Sequence, residues 1–243
     1  MKMKASGALL SFLLLFLAPQ VVPAQFEDFL KGFDKMAVPG AKPPGDDKIV
    51  SGLKEALAVG TENAVKLIGS TDGFLKNEAI KILLPEKLQS MDRALRLAGF
   101  GPQVDEFVVS MNRAAEQAAP LAQPIFKDAV TNMSFDDARK ILNGGDTAAT
   151  NYFEGKTREQ LATAFKPEVE KAMNHVGVTT QYKQLVGQYT TLPFIKMPAF
   201  DVDTYVVGKS LDGLFYTLAQ EEQKIRTNPA ARVTDLLKDV FGK

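Results

Sequence analysis

The sequence predicts an all-α protein: a single multi-helix domain of about eight to ten helices over residues 46–243, preceded by a short N-terminal arm. Three observations predict it. Apolar residues recur at three- and four-residue spacing through most of the chain after Asp46. Proline and glycine mostly fall between those runs, with proline at their starts and glycine at their ends. Only residues 187–202 favour extended backbone, through Thr190-Thr191-Leu192-Pro193 and Met197-Pro198, leaving room for one short strand or arm there.

The elements follow in order. Residues 1–24 have the three-part pattern of a secretory leader: Lys2 and Lys4, an apolar run from Ala8 to Leu17, then Val22-Pro23-Ala24. Ten residues rise about 15 Å as a helix, half of a roughly 30 Å hydrocarbon core, so the run is too short for an anchor. Cleavage after Ala24 is expected, leaving Gln25 as the new N-terminus and placing the mature protein in the periplasm. No later stretch approaches a membrane span. Residues 25–45 form an arm, with Phe26, Phe29, Leu30 and Phe33 on one side, and a linker of Pro39-Gly40 and Pro43-Pro44-Gly45.

The first long helix is expected from about Asp47 to Ile68, on a stripe of Ile49, Leu53, Leu57, Ala64 and Leu67. Gly60 on that face implies either close helix packing or a break. Pro85 opens the next helix, which carries Leu88, Met91 and Leu95 and ends at Gly99. Pro102 opens a third, with Val104, Phe107, Met111, Ala115 and Ala118. Pro120 and Pro124 restart the chain into Ile125, Phe126, Ala129 and Met133, and Ser134 with Asp137 reads as a capping box for Phe135 to Leu142. Gly144-Gly145 stops that helix. Thr157 with Gln160 reads as the start of the next, which carries Leu161, Phe165, Ala172 and Val176, with Pro167 kinking or splitting it. A helix from about Asp203 to Arg226 follows, and Asn228-Pro229 opens a last one with Val233, Leu236, Leu237, Val240 and Phe241.

Composition removes several chemistries. The chain has no Cys, so Cys-ligated zinc, iron–sulfur clusters, disulfides and thiol nucleophiles are excluded. Lys+Arg and Asp+Glu balance at 29 each, which is not the footprint of a nucleic-acid binder. Export removes a reliable supply of ATP or NAD(P)H, so no cofactor is expected. The single His, His175, reads as a boundary residue near a helix C-terminus, where the dipole favours it. No metal site is expected.

Gly208-Lys209-Ser210 ends like a phosphate-binding loop, but residue 203 is Asp where the first Gly belongs. Asp201-Val202-Asp203 resembles the opening of a calcium loop, but Val206 stands where that loop needs Gly.

Three polar groups remain as ligand-binding or structural ion-pair candidates. On the 203–226 helix, Glu222 projects about 40° from the centre of the apolar stripe and Glu221 about 60° on its other side. They are either a carboxylate pair lining a pocket or part of an ion-pair network, with Arg226 four residues on from Glu222. Asn112, Arg113 and Glu116 form the second group, with Asn112 at the edge of the apolar face, Glu116 beyond it, and Arg113 opposite it and solvated or surface-paired. The third, Asn143-Gly144-Gly145-Asp146-Thr147, could cradle an anion or simply join two helices.

Five blocks carry a family resemblance: Gly52 to Leu57, Asp72-Gly73-Phe74, Met111 to Glu116, Ile141 to Phe153, and Ile225 to Arg232. Together they resemble an exported bacterial family catalogued as domain of unknown function 4197, over about Asp47 to Gly242. The resemblance implies export and a helical fold, and brings no activity and no catalytic residue. Some relatives carry a lipoprotein Cys; this chain has none, which implies a soluble protein.

The functional expectation is therefore an exported binding or interaction module for an envelope component, a partner protein or an apolar small molecule. One alternative is a hydrolase or lyase using Glu221 and Glu222, although the balance is against an enzyme. Another is a structural envelope protein with no ligand.

Overall fold

The computed structural model describes residues 46–175, 184, 186–187 and 200–228. All belong to one compact unit, residues 44–243. The leader, the arm, most of the 187–202 segment and the helix expected after Asn228 lie outside the described residues.

Seven α-helices are present among the described residues: α1 Asp46–Gly69, α2 Gln89–Leu97, α3 Gly101–Ala118, α4 Ala122–Thr131, α5 Phe135–Leu142, α6 Ala148–His175 and α7 Val202–Thr227. Short 3-10 turns, Glu86–Leu88 and Ala119–Leu121, precede α2 and α4, and no strand occurs among these residues. The described residues are all-α, and their seven helices are fewer than the eight to ten expected of the chain.

The difference has two sources: the helix expected after Asn228 lies outside the described residues, and α6 is one helix whose bounds differ from those expected. Thr157 does not start a helix; it is buried inside one that begins at Ala148, and its hydroxyl donates to the Phe153 carbonyl. Pro167 does not split α6 either. Its missing N–H removes one bond to the carbonyl of Thr163, but both residues are exposed, so that oxygen faces water.

Other boundaries follow local chemistry. Gly99 takes φ +88°, Phe100 N–H donates to the Leu95 carbonyl, and Gly99 N–H to that of Arg96, the Schellman closure of α2. Pro85 is the extended residue before the 3-10 turn, so α2 proper starts four residues later. Ser134 and Asp137 form a complete capping box on α5. Asp201 caps α7 by accepting from Thr204 N–H and hydroxyl, so the acids at 201–203 serve a helix start.

Helix α7 packs against α6, α1 and α3. Its Val206, Leu211, Leu214 and Leu218 are buried. Phe126 on α4 meets Phe153 on α6 and Phe215 on α7 edge-on, at 5.2 and 6.2 Å between ring centroids. On α1, Leu53, Leu57, Ala64 and Ile68 face the core, while Leu67 is 49% exposed. Leu67 lies about 100° from Ile68 around the helix, which carries it off the stripe assigned to it. α1 runs unbroken through Gly60, where a Cβ would meet only Ile225 at an ordinary 3.5 Å.

Candidate functional site

The first four N–H groups of any α-helix lack intrahelical acceptors, and its last carbonyls lack donors. Two such ends meet where α5 stops at Leu142 and α6 starts at Ala148, and one ion pair from α7 serves both. Glu222 is 7% exposed. Its Oε1 accepts from Ala149 N–H at 2.9 Å, and its Oε2 from Thr150 N–H at 2.8 Å and the Thr150 hydroxyl at 2.9 Å. Arg226 lies one turn on and donates to Oε1 through Nε at 3.0 Å and Nη2 at 2.8 Å. The same Nη2 donates to the Ile141 carbonyl at 2.9 Å. The carboxylate therefore sits on the positive end of α6 and the guanidinium on the negative end of α5.

This arrangement decides what the Asn143–Thr147 loop can do. The N–H groups opening α6 hold an anion, and that anion is the protein's own Glu222. Gly144 is fixed by packing: a Cβ there would lie 2.5 Å from the Ala148 Cβ and 2.9 Å from the Lys140 carbonyl oxygen. Asp146 is exposed on the loop. Glu221 is partly buried and pairs with Lys224, and Glu222 alone of the two faces the cleft between α1 and α7. That cleft, lined by Leu53, Leu57, Gly60, Leu218 and Ile225, measures about 20 Å³, room for roughly one water.

The second polar group is also a structural joint, and its burial differs from the sequence expectation. Asn112 is 0% exposed and Glu116 4%; neither sits at or beyond a boundary. The side-chain amide of Asn112 pairs with both backbone groups of Ile82, accepting from its N–H at 2.8 Å and donating to its carbonyl at 2.9 Å. It also donates to the Val108 carbonyl at 2.8 Å. Glu116 Oε1 accepts from the N–H groups of Phe74 and Leu75. Arg113 bridges Glu116 Oε2 and Asp72 Oδ1, both at 2.6 Å, so it is paired rather than solvated. Helical projection missed this because the connection from Ser70 to Leu84 covers that side of α3.

Asp72 sits at φ +69° in that connection. Lys76 and Arg113, in that order, hold its carboxyl below the ordinary aspartate value. Glu116, then Asp72, holds the Arg113 guanidinium further above its own. A Cβ on Gly73 would collide with the backbone of Leu67 and Ile68. Phe74 is wholly buried, with its ring where any side chain at Gly213 on α7 would go.

The remaining motifs resolve simply. Ser210 is buried in mid-helix and donates to the Val206 carbonyl, so Gly208-Lys209-Ser210 forms no phosphate loop. His175 is the last residue of α6, and its side chain lies outside the described residues. Among the described residues no three acidic or histidine side chains are placed to hold a metal ion, and no helix is long and apolar enough to cross a membrane.

A groove that the sequence reading did not single out runs between the start of α1 and α5. It measures about 280 Å³ and is lined by Ile49, Val50, Leu53, Phe135, Ala138, Arg139, Leu142 and Asn143. The Arg139 guanidinium lies 4.7 Å from the centre of the Phe135 ring. The available signal was Phe135 directly after its cap, with Arg139 four residues on.

No curated protein and no solved structure matches the chain. A family model does match, over residues 44–242, and its description is a protein of unknown function, DUF4197. Most of the polar residues of the two joints fall in blocks that carry the resemblance, Asp72, Asn112, Arg113 and Glu116 in one joint and Thr150 and Arg226 in the other, while Glu222 lies just before the last block. The chain belongs to the DUF4197 family of proteins of unknown function.

Proposed function

We propose that this protein is an exported, periplasmic binding module for a small apolar or amphiphilic molecule, and not a carboxylate-based hydrolase or lyase. One observation carries the proposal. The chain's most buried carboxylates at the candidate sites, Glu222 and Glu116, are engaged in holding helix and loop ends, while the α1/α5 groove of about 280 Å³ is lined mainly by apolar side chains. Catalytic carboxylates need a substrate-sized space beside them. Glu222 has a cleft of about 20 Å³, and Glu221 does not line it. Export is supported by Lys2, Lys4, the apolar run from Ala8 to Leu17, and the Val22-Pro23-Ala24 site.

The test is a native mass spectrum of the protein taken gently from the exported fraction of its own host. The expected result is a polypeptide mass starting at Gln25, with an adduct of defined mass that denaturation releases. Intact residues 1–24 on all of the protein would overturn the export reading. A bare chain at every collision energy would overturn the reading as a carrier.

A further inference from the structure

Residues 70–84, which join α1 to the 3-10 turn before α2, put Phe74, Ile80 and Ile82 into the core. We infer that these residues form a strap that opens and closes as one unit over α3 and α7 while the helices stay folded. This goes beyond the binding-module reading and does not depend on the α1/α5 groove.

The strap is tied to itself through its backbone and to its neighbours through side chains. Gly73 N–H donates to the Ser70 carbonyl, Lys76 N–H to that of Asp72, and Asn77 N–H to that of Phe74. The Asn77 carbonyl accepts from both Ile80 and Lys81 N–H, and its side-chain oxygen accepts from Ala79 N–H at 3.1 Å. Among the described residues, no backbone–backbone bond joins residues 71–84 to another element. The ties to α3 are the side chains of Asn112, Arg113 and Glu116, and Tyr205 on α7 adds its hydroxyl, donating to the Leu83 carbonyl at 2.7 Å. Lifting the strap therefore breaks no helix. On its outer side Lys76, Glu78, Ala79 and Leu83 are exposed, so solvent lies over it.

Its two halves share one seat. A Cβ on Gly213 of α7 would lie 2.5 Å from Cε1 of Phe74 and 3.2 Å from the Ile80 Cβ. Phe74 and Ile80 thus rest on the same spot, and the turns around Asn77 couple them. Opening takes their side chains and that of Ile82 out of the core, and delivers Asn112 and Glu116 to water, which replaces their lost hydrogen bonds. The cost of opening is set chiefly by the apolar groups.

The experiment is amide hydrogen exchange of the whole mature protein in urea below its unfolding transition, read at Phe74, Leu75 and Ile82 in the strap and at Leu214 in α7. The three strap amides are expected to converge on one opening, with a shallower urea dependence than Leu214 and exchange about a hundredfold faster. Of the three strap amides, the Asn112 side chain bonds only that of Ile82. Asn112→Ala is nevertheless expected to speed all three by the same factor, about tenfold or more. Asp72→Asn, a milder change at the other end of the strap, is expected to speed Ile82 as much as Phe74. Gly213→Ala unseats Phe74 but strengthens α7 in the open state as well as the closed one. It is expected to speed the strap amides and to widen their gap from Leu214 about fivefold.

One urea dependence shared by the strap and Leu214 would overturn the inference, because the strap would then open only with the whole protein. Ile82 speeding alone in Asn112→Ala, or Phe74 and Leu75 alone in Asp72→Asn, would overturn the single unit. An unchanged gap in Gly213→Ala would overturn an opening that leaves α7 folded.

Discussion

Thr150 meets Glu222 twice, through its N–H at 2.8 Å and its hydroxyl at 2.9 Å, and so ties the first turn of α6 to the end of α7, 72 residues away. An Ncap side chain normally comes from the residue just before the helix. Here it comes from a distant helix and is a full carboxylate, buried and balanced by Arg226. Removing one partner of a buried pair leaves the other uncompensated, at a cost of about 3–5 kcal/mol. Glu222→Gln keeps the shape but turns an amide N–H₂ toward groups that themselves donate. Its expected loss is about 3 kcal/mol by urea unfolding. Thr150→Val, which removes only the hydroxyl bond, is expected to lose about 1 kcal/mol. A Glu222→Gln protein of unaltered stability would show that this carboxylate is not a structural cap.

Asn112 makes a comparable prediction at the other joint. Its amide satisfies both backbone groups of Ile82, which is itself 1% exposed. Truncation leaves a buried N–H and a buried carbonyl without partners, each costing about 1–3 kcal/mol. Asn112→Ala is expected to destabilise by about 3 kcal/mol, and hydrogen exchange at the Ile82 amide should accelerate before that of α7. Slow exchange at Ile82 in the variant would show that another group holds this segment.

The helices were legible because their apolar spacing is local and their punctuation is chemical. Ser134 with Asp137, Asp201 before α7, and Gly99 after α2 sit where their turn chemistry puts them. Thr157 misled because a Thr and a Gln three residues apart look the same at a helix start and inside a helix. What told against a start was the Ala148–Phe153 block, whose cap comes from Glu222 and has no local signature. Helical projection put Glu222 near the buried face of α7, but could not say what it met. It left Asn112 at an edge because the chain that covers it, from Ser70 to Leu84, has almost no periodicity of its own. The groove was invisible for the same reason: its two walls are 85 residues apart at Val50 and Phe135.

The adjacent glycines of the α5–α6 loop give an internal control. A Cβ on Gly144 would lie 2.5 Å from the Ala148 Cβ, a rigid neighbour, whereas one on Gly145 would have nothing within 4 Å. Neither takes a positive φ, so the difference is packing. Gly144→Ala must push α6 away from Glu222 and is expected to cost about 2–3 kcal/mol. Gly145→Ala is expected to be neutral or to stabilise by about 0.5 kcal/mol through the unfolded chain. Equal thermal midpoints for the two variants would refute the packing argument.

Asp72 and Asp203 should shift stability with pH in opposite directions. The Asp72 carboxyl is lowered in the fold by Lys76 and Arg113, so its contribution is present above the ordinary aspartate value near 3.8 and is lost as pH falls through its lower folded value. Asp203 is raised, first by burial and then by the charges of Asp201 and Glu170, with Lys166 partly offsetting them. Its charged form opposes folding at neutral pH, and that penalty disappears as pH falls below the ordinary value. Urea midpoints at pH 7 and pH 3 separate the two. Asp72→Asn is expected to lower the midpoint at pH 7, by a margin that narrows at pH 3. Asp203→Asn is expected to raise it at pH 7 and to converge on the parent at pH 3. A decrease for Asp203→Asn at neutral pH would mean that its place in the first turn of α7, where the helix dipole favours a negative charge, outweighs burial and the two neighbouring carboxylates.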